Sequence, residues 1–378
     1  MPPVMKLVHI TSSLKVGGAE TLLCDLLNGL SGKLFEHHVI FFHDGPIRAR
    51  IESRGIKTYQ VSGLVCMYDP FFWVRLWRCI RTIKPDGIHT LLWAATIAGR
   101  LVGATRGIPV VSVYHNNVDQ NGAIRNSIDR FTAQLSTKII AVSDEVADSI
   151  SAHNMTIARR NVMVIRNGIN CEKIESLAAH YQVKREDYGL SSEHFIIGSV
   201  GRWVSVKNYP LLLRAFALVQ QHMKHARLFL VGQGPEEHTL RTLARQLGIY
   251  PSVYFVKANP AYGYYRLFDV FVQSSDKEGI SMALLEAMCL QVPCVVTNRN
   301  LTHSVISHDL NGLVVPAGDV VRLSDVLLKI SPDRKLRDRL ADVAYTVLRR
   351  DFSDTHMLSQ YQQIFWKMGN NSSGNVFN

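Results

Sequence analysis

The sequence predicts an α/β protein made of two doubly wound, parallel-sheet domains, and three observations carry that expectation. Its 378 residues exceed what one ordinary core organises. Short β-rich apolar runs alternate with helix-like stretches along most of the chain, as buried strands covered by helices on both faces do. The alternation lapses once, near 170 to 190, and then restarts.

In order, "KLVHITS" is a strand, "VGGAE" a turn and "TLLCDLLNGL" a helix. The runs "HVIFFH", "GIHTLL", "PVVSVYH", "KIIAVSD" and "VMVIRNG" follow as strands, separated by the helical stretches "PFFWVRLWRCIRTI", "AATIAGRLVGA" and "RNSIDRFTAQL". "CEKIESLAAHYQVKREDYGLSSE" is polar, lacks a strand pattern and reads as a linker. Beyond it come strands "FIIGSVG", "RLFLVGQG", "VYFVK", "VFVQSS", "PCVVT" and "GLVVP", with "YPLLLRAFALVQQH", "EEHTLRTLARQLG" and "SMALLEAMCLQ" as helices. The expected division is a first domain over 1–175 and a second over 176–352. A helix over 353–368 is expected to return to the first domain, before a disordered tail over 369–378. Two such domains would face a shared cleft with the carboxyl ends of their strands, so candidate chemistry should sit just after strands.

Composition narrows the classes. Hydrophobic residues make up 47% and charged residues 19%, which describes a globular chain with ample core. No apolar run approaches the ~20 residues of a membrane span, and "MPPVMKLVHI" lacks the apolar segment and cleavage site of a secretory signal. A cytoplasmic protein is expected. The six cysteines are scattered without a C-x-x-C pair and are expected as free thiols in core positions. The net charge of +11, of which +6 falls within residues 1–175, is spread along the chain. It points to phosphate or an anionic membrane surface as partner, not to nucleic acid.

Several stretches pass the strand-end filter. "KVGGAE" places Gly17 and Gly18 where backbone could approach a bound group; a plain tight turn is the alternative. "VSVYHNN" leaves His115 at a strand end, able to donate to a hydroxyl or phosphate or to hydrogen-bond within its loop. "SVGRWVSVKN" carries Arg202 and Lys207 five residues apart after a strand. A planar guanidinium with a point-charge ammonium suits a diphosphate, though two solvated surface charges would look the same. "LFLVGQGPEE" adds a glycine turn at Gly234, a weak signal alone.

"SSDKEGISMALLEAM" is richer. Glu278 and Gly279 follow a strand, and a helix should begin near Ser281, just after Ile280. The amide end of that helix would hold a phosphate, Glu278 could reach a sugar hydroxyl, and Glu286 lies about two turns along. A capping box from Ser275 to Glu278, with Glu286 a surface acid, remains the competing account.

Taken together, "VGGAE", "AVSDEVAD", "VIRNGIN", "VGRWVSVKN", "VGQGP", "SSDKEGISMALLEAM" and "NGLVVP" resemble the retaining GT-B glycosyltransferases of family 4, also called glycosyl transferases group 1. The resemblance implies two Rossmann-like domains facing a central cleft, and a hexosyl- or N-acetylhexosaminyltransferase. Such an enzyme uses a UDP- or GDP-sugar as donor, needs no metal, and serves surface-polysaccharide synthesis (O-antigen, lipopolysaccharide or capsule). It also implies roles. Gly17 and Gly18 match the glycine loop beside diphosphate and acceptor, and His115 the histidine near the transferred sugar. Arg202 and Lys207 match the diphosphate-binding pair, Glu278 the glutamate facing the sugar, and Glu286 the one on the ribose. Gly234, Gly279, Ile280 and Ser281 belong with the donor-binding segments.

The chain departs from the pattern at Asn300, Leu301 and Ser304, where a Gly-Gly turn and a glutamate are usual, and at Lys257, where a glycine is common. A sugar-nucleotide 2-epimerase of the same architecture, or a catalytically silent binding protein, stay open as alternatives. The helix "PFFWVRLWRCIRTIK" carries Arg75, Arg78, Arg81 and Lys84 among aromatics. It could lie on an anionic membrane near a lipid-linked acceptor, giving a peripheral place on the inner face of the cytoplasmic membrane. The plainer account buries Phe72, Leu76 and Ile80 and solvates the arginines.

Overall fold

Among the described residues the strands form two wholly parallel sheets of seven and six strands. The computed structural model describes residues 4–371 apart from Val16, Ser31, 64–68, 116–121, 154–156, Ala158, Asn259, 277–279 and 299–304. The chain divides into two units, Met1–Gly168 with Asp354–Asn378, and Ile169–Ser353.

The first unit runs β1 (Met5–Ser13), α1 (Gly18–Gly29), β2 (Phe35–His43), α2 (Ile47–Glu52), β3 (Lys57–Gln60), α3 (Pro70–Ile83) and β4 (Gly87–Leu91). It continues through α4 (Trp93–Arg106), β5 (Val110–Tyr114), α5 (Ala123–Thr132), β6 (Lys138–Ala141), α6 (Asp144–His153) and β7 (Val162–Val164). The sheet order is β3-β2-β1-β4-β5-β6-β7. β1 is apolar on both faces, with Leu7, Val8 and Ile10 all fully buried, as helices on both sides of the sheet require. α3 is set by Asp69, whose carboxylate accepts from Phe71 N at 2.9 Å, and by Pro70 in its first turn. Phe72, Leu76, Ile80 and Ile83 are its buried face, as the plainer account of that helix holds.

Three histidines, His9 and His89 fully buried and His37 half-buried, cross this sheet as a chain. His9 Nδ1 lies 2.9 Å from His89 Nδ1, and His9 Nε2 lies 3.0 Å from His37 Nδ1. A neutral imidazole carries one N–H, so His9 donates to one neighbour and accepts from the other. Burial lowers His37 to about 4 and His89 to about 3, and holds His9, which faces both, well below its ordinary value. The unfolded chain takes up these protons near pH 6.5 while the native chain resists them. Stability from the array is therefore complete above pH 6.5 and lost as pH falls from there toward 4 and 3. Urea unfolding should show a loss on the order of a few kcal/mol between pH 7 and pH 4. Replacing His9, His37 and His89 together by leucine should flatten that slope.

The second unit runs α7 (Cys171–His180), β8 (Phe195–Val200), α8 (Tyr209–His222), β9 (Ala226–Val231), α9 (Glu237–Gln246), β10 (Val253–Val256) and α10 (Tyr262–Tyr265). β11 (Val270–Gln273), α11 (Met282–Cys289), β12 (Cys294–Asn298), β13 (Leu313–Pro316), α12 (Val320–Ile330) and α13 (Arg334–Asp351) complete it. The order is β10-β9-β8-β11-β12-β13. α14 (Asp354–Asn371) closes the described chain and packs into the first unit, where Met357, Tyr361, Phe365 and Met368 join Leu7 and Phe35 in one core.

The stretch expected as a linker is partly helical. Asn170 caps α7 by accepting from Lys173 N at 2.8 Å, and Cys171, Ile174 and Ala178 are buried at helical spacing. The charged outer face of α7 masks that stripe in the sequence. The division between units falls at Gly168 and Ile169, ahead of the expected 175/176 boundary, because α7 packs on α10 and α11. Of the expected tail, 369–371 complete α14; 372–378 lie outside the described residues. Cys24, Cys79, Cys171, Cys289 and Cys294 are free thiols, and Cys66 lies outside the described residues.

Candidate functional site

In each sheet the strand order reverses once, between β1 and β4 in the first and between β8 and β11 in the second. Ligands of open α/β sheets bind beyond the carboxyl ends of the strands at such a reversal. In the second unit the two flanking strands carry the segments singled out in the sequence. β8 leads into Arg202 and Lys207; β11 leads through 274–281 into α11.

The β8 end is built around glycine. Gly201 has φ +156, and a Cβ there would stand 3.0 Å from the Tyr209 hydroxyl, 3.5 Å from Lys207 Cε and 3.8 Å from Lys207 Nζ. The missing side chain lets Lys207 lie over Gly201, directly before Arg202. Gly232 (φ +150) would drive a Cβ into the Gly201 carbonyl, and Gly234 would drive one into the Trp203 backbone. Trp203 N donates to Gln233 O at 3.0 Å, and Glu236 N to Trp203 O at 3.2 Å. Gly234 thus permits close packing of the β8 and β9 loops. Trp203, fully buried beside Phe255, is the pillar between them, and Arg202 next to it is exposed, with no side-chain partner among the described residues.

The Lys207 loop is laced to the β11 loop. Ser274 Oγ donates to Lys207 O at 2.9 Å, Asp276 N to Val206 O at 3.0 Å, and Asn208 Nδ2 to Asp276 Oδ1 at 2.8 Å. Asn208 sits at φ +45 and also caps α8 through Leu211 N, a conformation asparagine tolerates better than most residues. Asn208→Ala should cost about 1–2 kcal/mol of stability through the cap and backbone, read by urea unfolding. Asn208→Gly keeps the backbone but loses the bond to Asp276, so a loss as large as that of the alanine variant would assign the cost to the side chain.

Glu278 and Gly279 lie outside the described residues. Ile280 and Ser281 are buried at the start of α11, with Ser281 at the cap position and no side-chain cap bond. Amide groups of the first turn are therefore not claimed by the Ser281 hydroxyl. Glu286, one turn into α11, accepts from the Tyr265 hydroxyl at 2.7 Å. Burial, then the Glu286 carboxylate, raises Tyr265 well above its ordinary value, so the phenol keeps its proton and fixes the carboxylate. Lys257 pairs with Glu237 Oε2 at 2.7 Å.

In the first unit Gly17 and Gly18 follow β1, and His115 follows β5. Ser13 Oγ donates to Glu20 Oε1 at 2.7 Å, and a Cβ at Gly17 would meet Glu20 Oε2. The glycine loop thus holds a buried carboxylate of its own, which the sequence reasoning did not assign. His115 is half-buried, its Nε2 enclosed and without a partner among the described residues. Burial lowers it to about 4, so it is neutral at physiological pH, able to donate or accept but not a cation. Its neighbour Tyr114 is pinned by a buried network: Arg100 Nη1 to Asp129 Oδ1 at 2.6 Å, Arg100 Nη2 to the Tyr114 hydroxyl at 2.7 Å, and that hydroxyl to Asp129 Oδ2 at 2.7 Å.

Besides Glu20, the sequence reasoning missed Trp203, Tyr265, Ser274 and Asp276. Asn208 carried a legible signal, an asparagine two residues before a proline that opens a helix. A cavity of about 570 Å³ lined by Ile108, Pro109, Lys138 and Lys367 opens at the amino ends of β5 and β6, the end of the sheet opposite to that of His115. No group of three or more His, Cys, Asp or Glu suited to a metal ion occurs among the described residues.

Two parallel-sheet units, each with one strand-order reversal, define a doubly wound α/β architecture, and the comparisons with known proteins make it specific. The family described as Glycosyl transferases group 1 matches residues 181–347, and Glycosyltransferase Family 4 matches residues 16–173. The chain belongs to these glycosyltransferases and has the GT-B fold. It is 27% identical to the N-acetyl-alpha-D-glucosaminyl L-malate synthase of Bacillus anthracis, over 96% of this chain and 97% of that one. It is 24% identical to the lipopolysaccharide core biosynthesis glycosyltransferase LpsD of Rhizobium meliloti, over 96% and 98%. Identity to the UDP-Gal:alpha-D-GlcNAc-diphosphoundecaprenol alpha-1,3-galactosyltransferase of Escherichia coli is 22%, over 88% and 89%. Among solved structures, Anabaena Alr3699/HepE in complex with UDP superposes with a TM-score of 0.83 at 18% identity, covering 96% of this chain and all of that one.

Proposed function

We propose that the protein transfers a sugar from a UDP- or GDP-sugar to a hydroxyl of a lipid-carried glycan, with retention of anomeric configuration, in bacterial surface-polysaccharide synthesis. The observation that supports this reading is the β8/β11 reversal, with Arg202 and Lys207 following one strand and α11 following the other. Departure of the nucleoside diphosphate builds negative charge on its outer phosphate. Lys207, whose loop is tied to the β11 loop, and Arg202 would stabilise that charge more in the transition state than in the bound donor. Glu286, held by Tyr265, would accept from a ribose hydroxyl, and Glu278 would orient the sugar. Neutral His115 would donate to a sugar hydroxyl. The names of the relatives, which include lipopolysaccharide core and diphosphoundecaprenol glycosyltransferases, support a glycan acceptor on a lipid.

No divalent ion enters this scheme, because the two cations and the helix terminus neutralise the leaving diphosphate. Chelation with EDTA should leave turnover within about twofold, against the several kcal/mol an essential Lewis-acid ion supplies. The direct test is a screen of UDP- and GDP-sugars for thermal stabilisation. NMR of the product formed from the stabilising donor then follows. The reading expects one donor to stabilise the protein, free nucleotide to appear only with acceptor present, and the product to keep the donor's anomeric configuration. Release without acceptor of a free sugar isomer would instead support an epimerase, and an inverted product would remove the same-face mechanism.

A further inference from the structure

Glu20 is a buried carboxylate without a cation. It is 6% exposed. Among the described residues it forms no ion pair and one hydrogen bond, accepted by Oε1 from Ser13 Oγ at 2.7 Å. Buried carboxylates are ordinarily paired or fully hydrogen-bonded, so a bare Oε2 there is a position for a donor that the described chain does not supply.

The amide end of α1 explains why the charge is tolerated. Glu20 lies in the first turn of that helix, whose N-cap residue, Gly17, makes no side-chain cap bond, and a carboxylate is stabilised at such an end. That leaves Oε2 unexplained. The loop makes room for it: a Cβ on Gly17 would stand 2.5 Å from Oε2 and 3.4 Å from Cδ. Gly18 beside it is exposed, and nothing lies within 4 Å of the position its Cβ would take. The loop that Oε2 touches therefore borders open space. Ser13 ends β1, and its neighbour Ser12 accepts through Oγ from Ala95 N in the first turn of α4 at 3.2 Å. The carboxylate thus stands at the β1/β4 reversal, where open sheets bind ligands.

Charge narrows what would bind. A phosphate beside Oε2 would set two anions against each other at one helix end, whereas a hydroxyl donates to a carboxylate in a charge-assisted bond. The donor's sugar comes joined to a diphosphate; a glycan hydroxyl brings no charge. We propose that Glu20 is an acceptor-binding residue: Oε2 receives a hydrogen bond from a hydroxyl of the acceptor, and the Gly17–Gly18 loop holds no phosphate. The family resemblance sets that loop beside both diphosphate and acceptor and assigns Glu20 to neither. The inference rests on the function proposed above and adds to it the residue and the ligand group.

The experiment uses the full chain, the sugar nucleotide selected by the thermal screen and labelled in its sugar, and a lipid extract of the cells that make the protein as acceptor. Glu20→Gln keeps the shape and an oxygen for Ser13 but removes the charge. Its apparent KM for the extract should rise about tenfold or more, as loss of a charge-assisted hydrogen bond implies. Its KM for the donor, and its calorimetric affinity for UDP or GDP, should stay within about twofold. Ser13→Ala keeps the carboxylate but releases it, so it should show the same split in smaller measure and carries the test if Glu20→Gln fails to fold. An unchanged KM for the extract, or a lowered kcat or thermal midpoint with both KM values unmoved, would overturn the inference and leave Glu20 a structural residue. An equal rise in donor KM would overturn it by giving Oε2 to the transferred sugar, and diphosphate binding tightened tenfold would do so by placing phosphate at the loop. A wild-type protein that transfers no sugar to the extract would instead overturn the proposed function and this inference with it.

Discussion

Lys207→Ala should lower turnover by about 10²–10³-fold, the loss seen when one preorganised group that stabilises developing negative charge is removed. Lys207 lies over Gly201, and its loop is tied to the β11 loop by Ser274, Asp276 and Asn208. The loop that carries the ammonium is thus held by the protein's own hydrogen bonds. Single-turnover measurement separates this from weaker binding. A fall in kcat at saturating donor means the charge acts in the transition state, whereas a rise in KM alone means it serves only to bind. Arg202→Ala should lower turnover in the same way. The double variant should cost less than the product of the two single losses if both groups act on one diphosphate, as proposed.

Gly232→Ala should have the largest effect on stability, on the order of 3 kcal/mol in the second unit. Two costs coincide there. A Cβ would enter the Gly201 carbonyl, and φ +150 is a backbone state that side chains resist. Relief requires the ends of β8 and β9 to move apart, and the β8 end carries Arg202 and Lys207. The variant should therefore lose activity beyond what its unfolded fraction explains. Urea unfolding followed by activity at a temperature where the variant is fully folded checks both. Gly18→Ala, where nothing lies within 4 Å of the added carbon, is the control and should change stability little.

The alternation of strands and helices was legible because both sheets are parallel and buried, which leaves apolar runs that periodicity finds. Arg202, Lys207 and the start of α11 were legible through their addresses after strands. Glu20 was not, since nothing in "VGGAE" shows that its carboxylate folds back against Gly17 and Ser13. Nor was Tyr265, whose partner Glu286 lies 21 residues away. α7 escaped because three buried positions in ten are a thin stripe beneath a charged surface. The direction of α5 was beyond the sequence altogether: only the pairing of Asp129 with Arg100 shows which side of that helix faces in.

The central claim is that the second unit grips a nucleoside diphosphate through Arg202, Lys207 and the amide end of α11. Calorimetric titration tests it most directly, comparing UDP with uridine and GDP with guanosine on the wild-type protein and on Arg202→Ala, Lys207→Ala. The account predicts that the wild type prefers one diphosphate over its nucleoside by about 10²-fold or more, as charge-assisted hydrogen bonds to phosphate provide. It also predicts that the double variant loses most of that preference while still binding the nucleoside. An undiminished preference in the double variant would contradict it.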